Sequence, residues 1–139
     1  MNSFDRTIHT QAELEATWRA LVAPLGWSSP RFWIMLIGPS GRPLPQLIEI
    51  DELEGAPQDE DVERGAQFLQ MLVDHLDVGD IRVAFLYARP GHESIQPLDR
   101  TWATSLAAMA RRAGLACEPV HLANDVRIVP IPLDELDAA

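Results

Sequence analysis

Apolar residues recur along the chain at two different periods, and these periods predict its helices and strands. Near the start they follow one another at spacings of four, three and four, at Leu14, Trp18, Leu21 and Leu25. That is the spacing of one face of a helix. Thr10 and Glu13 stand ahead of this stripe in the pattern of a capping box. We therefore expect an N-terminal helix over about residues 10–23.

Two more stretches have the period of a helix. The first follows an acidic connector at 51–61 and carries Val62, Ala66, Leu69, Leu72, Val73 and Leu76 on one face. The second is expected from about Asp99 to Ala113, with a stripe of Trp102, Leu106, Met109 and Ala113. Asp99 is a favourable N-cap residue for this last helix.

Runs of branched and aromatic residues predict five strands, at 31–37, 44–50, 81–87, 118–122 and 126–131. The third run is apolar on both faces apart from Arg82, which indicates a central strand. Prolines in the second and last runs place those strands at sheet edges. The order α-β-β-α-β-α-β-β predicts one α/β (α+β) domain over residues 1–139, with a three-layer mixed sheet flanked by helices.

Charge and composition exclude several function classes. The formal charge is −10, and all 11 basic residues are Arg, so the surface repels phosphate backbones and nucleic-acid binding is not expected. No apolar run reaches the roughly 20 residues that span a bilayer, and the first ten residues lack a signal-peptide core. Cys117 is the only cysteine, which excludes an internal disulfide. We expect a cytoplasmic, bacterial protein without a membrane partner.

The loop after the central strand holds the most informative residues, because such loops carry chemistry in many α/β domains. It reads Tyr87-Ala88-Arg89-Pro90-Gly91, then Gln96-Pro97-Leu98-Asp99 ahead of a helix. The loop resembles that of the JAB (MPN or JAMM) metalloprotease superfamily, most closely its RadC-like branch. In that family the loop reads His-x-His-Pro-Ser-Gly, then Ser-x-x-Asp, and the two His and the Asp hold zinc.

The resemblance covers about residues 31–131 and implies the family's fold without its metal. Tyr87 and Arg89 stand where the two His would be, whereas Asp99 keeps its ligand identity. The Pro and Gly remain without the Ser between them, and Gln96 replaces the second Ser. His121 falls where RadC-like proteins have an Asp-His pair. A neutral phenol is a poor ligand and a guanidinium repels a dication, so we expect no zinc, no cofactor and no catalysis.

Two alternative sites remain open around this loop. The ligand-type residues near the same end of the sheet are His92, Asp99, Cys117 and His121, and a metal-dependent hydrolase with a rearranged site would use them, although their spacing matches no zinc signature. Arg89 beside a helix N-terminus would suit a small anion. The simpler interpretation is that Arg89 pairs with an acidic neighbour.

The expected function is therefore binding by a pseudoenzyme. Residues 51–63 hold seven acidic residues and no basic one, which suits either a solvated connector or a surface for a basic protein. The candidate partner surface comprises Trp27, Glu52, Glu54, Asp59, Glu60 and Asp61. Self-association through the apolar edge strand at 126–131 is the other possibility.

Overall fold

The computed structural model describes residues 7–51, 53–76 and 79–132. Over these ranges the chain is a mixed α+β structure with three helices and a six-stranded mixed sheet. In chain order the elements are α1 (Gln11–Val22), β1 (Arg31–Ile37), β2 (Pro43–Ile50), α2 (Asp59–Leu76), β3 (Arg82–Ala88), α3 (Pro97–Arg112), β4 (Ala116–Cys117), β5 (His121–Ala123) and β6 (Ile128–Pro130).

The strands run in the order β2-β1-β3-β5-β6, with β4 paired to the beginning of β3. β1 is antiparallel to both β2 and β3, whereas β4 and β5 are parallel to β3. β6 is antiparallel to β5. The expected central strand and both expected edge strands are confirmed.

Helices cover both faces of the sheet, because successive strand side chains point to opposite sides. Trp18 of α1 packs in the same apolar cluster as Met35 and Leu86 on one face. On the other face, α2 and α3 bury a second cluster that includes Leu106 and Phe85. The three layers predicted from the pattern are therefore present.

The last two predicted strands differ from those observed. The strand expected at 118–122 is largely displaced: β4 ends at Cys117, before the expected range, and β5 begins only at His121. Pro119 lies between the two strands and has no N–H to donate to a ladder. The strand expected at 126–131 is shortened to β6. Its first residues belong instead to a turn, in which the side-chain Oδ1 of Asn124 accepts from the N–H groups of Val126 and Arg127.

Helix ends were predicted less well than helix positions. α1 is capped as expected, because Thr10 Oγ1 accepts from the N–H of Glu13 at 3.1 Å. α2 begins at Asp59, inside the stretch expected to be a connector. α3 begins two residues before Asp99, with Pro97 in the first turn, where its missing N–H costs nothing. Within the described ranges, no helix has the length and apolar character needed to cross a membrane.

Candidate functional site

The carboxyl end of β3 and the first turn of α3 bring together Tyr87, Arg89 and Asp99. Tyr87 and Arg89 lie two residues apart on extended chain, so their side chains leave on the same side. The backbone N–H of Arg89 donates to the carbonyl oxygen of Ala123 at 3.0 Å, which ties the end of β3 to β5. We call these three residues the Tyr-Arg-Asp cluster.

Arg89 and Asp99 form a buried bidentate ion pair. Nε of Arg89 lies 3.0 Å from Oδ1 of Asp99, and Nη2 lies 2.8 Å from Oδ2. Arg89 is only 8% exposed and Asp99 only 1%. Planar two-point pairing of this kind has more directional specificity than a single charge contact.

The same guanidinium also holds the loop that connects β3 to α3. Its Nη2 donates to the carbonyl oxygens of Glu93 and Ser94, both at 3.0 Å, and its Nη1 donates to that of Pro90 at 3.3 Å. The donors that an external anion would need are therefore directed at the protein itself. This geometry favours pairing with an acidic neighbour over an anion-binding role for Arg89.

Asp99 has a different helix-end role from the one predicted. It is the third residue of α3, and the N-cap is Gln96. Its Oδ2 accepts from the backbone N–H of Gln96 at 2.7 Å, so the carboxylate reaches back to the start of the helix. Asp99 therefore stabilises the helix end and the loop arginine together, and the N-cap prediction is wrong.

The electrostatics of the cluster do not suit zinc. Burial raises the pKa of Tyr87 to about 12, so its phenol is neutral at ordinary pH. The hydrogen bond to Asp99 raises the pKa of Arg89 further, which keeps the guanidinium charged. The Tyr87 ring stacks on Trp102 with centroids 5.8 Å apart. Of the three residues, only Asp99 is a ligand type, and it is already paired.

The four residues of the rearranged metal site do not converge. His121 pairs with Leu86 and lies on the face that α1 covers, whereas Cys117 packs with the α2–α3 cluster. His92 is exposed in the loop. No group of three or more His, Cys, Asp or Glu in the described part of the chain is placed to hold a metal ion.

Burial also determines the chemistry of two of these side chains. The pKa of the Cys117 thiol is raised to about 12, so the sulfur is not a thiolate. Burial lowers the pKa of His121, which keeps the imidazole neutral. Its Nδ1 lies 3.1 Å from the carbonyl oxygen of Pro119, and its Nε2 has no hydrogen-bond partner among the described residues.

Trp27 of the candidate partner surface is half-buried and hydrogen-bonded within the protein. Its indole N–H donates to the carbonyl oxygen of Asn124 at 3.2 Å, and its backbone N–H donates to the Asp125 carboxylate at 3.0 Å. The Arg31 guanidinium lies 5.7 Å from the centre of its ring. The side chain is thus held by the turn at Asn124 and Asp125, which is so distant along the chain that sequence spacing does not show the contact.

The acidic residues of the candidate partner surface are divided between a connector and a helix. Glu54, Asp59 and Glu60 are exposed, and Glu52 lies outside the described residues. Asp61 is half-buried and accepts from the backbone N–H of Gln58 at 2.8 Å. Asp59 to Asp61 form the first turn of α2, where acids complement the helix dipole.

A cavity of about 580 Å³ opens on the α2–α3 side of the sheet, and the sequence analysis missed it. Its walls come from β1, the end of β2, β3, the connector at 53–57, the first half of α2 and one side of α3. Aromatic rings form part of the lining, at Phe32, Phe68, Phe85 and Trp102. The one sequence signal for it is the pair of apolar residues, Leu53 and Pro57, within an acidic stretch.

The fold and the Tyr-Arg-Asp cluster define a three-layer α+β domain with a buried ion pair at the carboxyl end of its central strand. Comparison with models of known protein families finds no match, and no curated protein is significantly similar to the chain.

Proposed function

We propose that this protein is a catalytically inactive domain of the JAB/RadC type that acts by binding a protein partner. The observation that carries the proposal is the ion pair between Arg89 and Asp99. In the resembled family these two positions would share a metal ion. Here a fixed cation on the chain itself neutralises the Asp99 carboxylate and takes that place.

The buried pair leaves the cluster without catalytic capacity of the family's kind. Zinc hydrolysis needs three ligands, an open position for water and a base. Glu93 is the nearest carboxylate to Arg89 after Asp99, and its Oε2 lies 3.5 Å from Nη1 of Arg89. The cluster instead stabilises the loop between β3 and α3, and this leaves binding at the surface as the function.

Two surfaces are available for a protein partner. The exposed acids at the start of α2 suit a basic protein, since the chain carries a charge of −10. Val126 is 51% exposed in the turn before β6, but Pro130 of β6 has no N–H, so this edge offers little backbone pairing. We therefore favour a basic partner over a second copy of the chain, which sedimentation velocity on the isolated protein would distinguish.

The first experiment is the zinc content of protein purified without chelators and without a metal-binding tag. We expect zinc far below one ion per chain and no zinc-dependent hydrolysis of isopeptide-linked substrates. Near-stoichiometric zinc, or hydrolysis that EDTA abolishes, would overturn the inactive assignment.

A restored ligand set tests the correspondence with the family. The double variant Tyr87→His with Arg89→His places two imidazoles beside Asp99, and we expect it to bind zinc and to melt at higher temperature with zinc than with EDTA. The single variant Arg89→His is the matched control and should show a much smaller zinc effect. A double variant that folds but neither binds zinc nor melts at a higher temperature with it would count against the correspondence of Tyr87 and Arg89 with the two His of the family.

A further inference from the structure

The cavity beneath the connector has the dimensions of a ligand site. Its volume of about 580 Å³ lies inside the range of roughly 300–1,000 Å³ typical of small-molecule pockets. It is concave and bounded by three strands, two helices and the connector. Protein partners more often use flatter surfaces, so a small molecule fits this shape better.

The interior of the cavity is apolar and aromatic. Phe32 contacts Phe85 edge-to-face at 6.4 Å and lies 5.9 Å from Trp102 between ring centres. The indole N–H of Trp102 already donates to the carbonyl oxygen of Gly55 at 3.0 Å. A bound molecule therefore meets ring faces and aliphatic groups in the interior, so its body has to be apolar.

The rim of the cavity is acidic. Glu54 and Asp61 stand there with a single basic residue, Arg64, whose Nη1 lies 3.8 Å from the Asp61 carboxylate. Glu54 is exposed and has no ion pair with any described residue. The rim thus has a net negative charge on a protein of charge −10, which favours a positively charged group and disfavours an anion.

We propose that this cavity binds a small amphipathic cation, with an apolar or aromatic body inside and an amine at the Glu54 rim. The proposal does not depend on the JAB/RadC resemblance, because neither Arg89 nor Asp99 lines the cavity. It therefore succeeds or fails separately from the proposed function.

Three ligands with the same body and different charges test both parts of the proposal. We would titrate the protein with 4-phenylbutylamine, 4-phenylbutanol and 4-phenylbutanoate and follow amide chemical shifts by NMR. All three should shift residues of the cavity lining, with affinity falling from amine to alcohol to carboxylate. Each step should be about two- to fivefold, as expected for one exposed charge contact.

Matched variants locate the binding and its charge preference. Ala56 is exposed at the mouth of the cavity, so Ala56→Trp should weaken all three ligands, whereas Ala20→Trp on α1 should not. Glu54→Gln should reduce the preference for the amine. Glu60→Gln removes the same charge from outside the lining and should leave the preference nearly unchanged.

Each remaining outcome counts against the proposal. If none of the three ligands binds while the amide spectrum stays native, the cavity is not a binding site for such molecules. Shifts confined to α1 or to the β6 edge would lead to the same conclusion. Equal affinities for the three ligands would overturn the cation preference. A basic peptide that shifts the cavity lining when none of the three ligands does would show a protein site instead.

Discussion

Burial removes the hydration of a carboxylate, and Asp99 is 1% exposed. Two guanidinium N–H groups of Arg89 and the backbone N–H of Gln96 replace that hydration. Because both charged partners are buried, neither can be removed without leaving the other unpaired in a poorly hydrated place.

We predict that Asp99→Ala lowers the free energy of unfolding by about 3–5 kcal/mol, since it leaves the Arg89 guanidinium buried without its carboxylate. Urea denaturation monitored by circular dichroism would measure this. The control is Glu63→Ala, which breaks the exposed pair between Glu63 and Arg112 and should cost less than about 1 kcal/mol. Similar losses for the two variants would contradict a structural role for the buried pair.

His121 makes stability depend on pH. Burial lowers its pKa in the folded state below the ordinary value of 6.5, so the unfolded chain binds a proton more readily. The free energy of unfolding should therefore fall as pH drops below about 6.5, by up to roughly 1.4 kcal/mol per pH unit, until the folded-state pKa is reached. The negative charge of Glu15 on α1 acts in the reverse direction and raises the pKa of His121, but burial has the larger effect.

The contribution of His121 can be isolated by comparing variants between about pH 7.5 and pH 5. His121→Gln should flatten the pH dependence relative to the native protein in urea denaturation. The control is His92→Gln, which changes an exposed histidine; an equal flattening in this variant would show that the effect is not specific to His121. An unchanged slope in folded His121→Gln would show that other groups account for the dependence.

At the scale of elements, α2 and α3 approach closely at Gly65. A methyl group there would lie 3.0 Å from both Cγ and Cε of Met109, which is too close for ordinary packing. Met109 is 4% exposed and lines the cavity together with Gly65, so its thioether would have to turn into the cavity to make room for the methyl group. The glycine thus sets the spacing of the two helices, although glycine is a poor helix former.

We predict that the effect of Gly65→Ala changes sign with residue 109. In the native background the clash should exceed the gain in helix propensity and lower the free energy of unfolding by about 1–3 kcal/mol. In a Met109→Ala background the same substitution should stabilise by up to about 1 kcal/mol. A double-mutant cycle by urea denaturation measures both; equal effects in the two backgrounds would contradict the contact.

Element positions followed from local pattern, whereas element ends did not. The apolar stripe of α1 and the doubly apolar run of β3 predicted their types correctly, because the period of burial belongs to each segment. α3 begins at Pro97, two residues before the expected start, because a proline in the first helical turn has the same local pattern as a proline in a loop. The capping carboxylate of Asp99 acts from the third helical position, which spacing alone does not distinguish from an N-cap.

At the scale of the whole molecule, the charge of −10 opposes folding through self-repulsion. Salt screens such repulsion, so we predict that raising NaCl from about 0.01 M to about 0.15 M increases the Tm by a few degrees. Differential scanning calorimetry would show it. KCl at equal ionic strength should give the same shift, and a Tm that falls or stays constant in both salts would contradict the repulsion.

The sequence by itself determined the three helices, the first three strands and their order, the central strand and the two edges. These features depend on the spacing of apolar residues, on prolines and on charges, all of which are properties of a segment's own sequence. It also predicted that two of the zinc ligands of the resembled family are replaced, by Tyr87 and Arg89. The likeness to the JAB/RadC family stays a prediction.

Only the tertiary structure decided what those residues contact. Pairing of β3 with both β4 and β5 puts Cys117 and His121 on opposite faces of the sheet, so these two candidate ligands do not meet. Packing of α3 brings Asp99 onto Arg89, and the connector is joined to Trp102 at one wall of the cavity. Such contacts join segments that are separated along the chain, and their geometry depends on chain crossovers and side-chain packing that no local pattern contains.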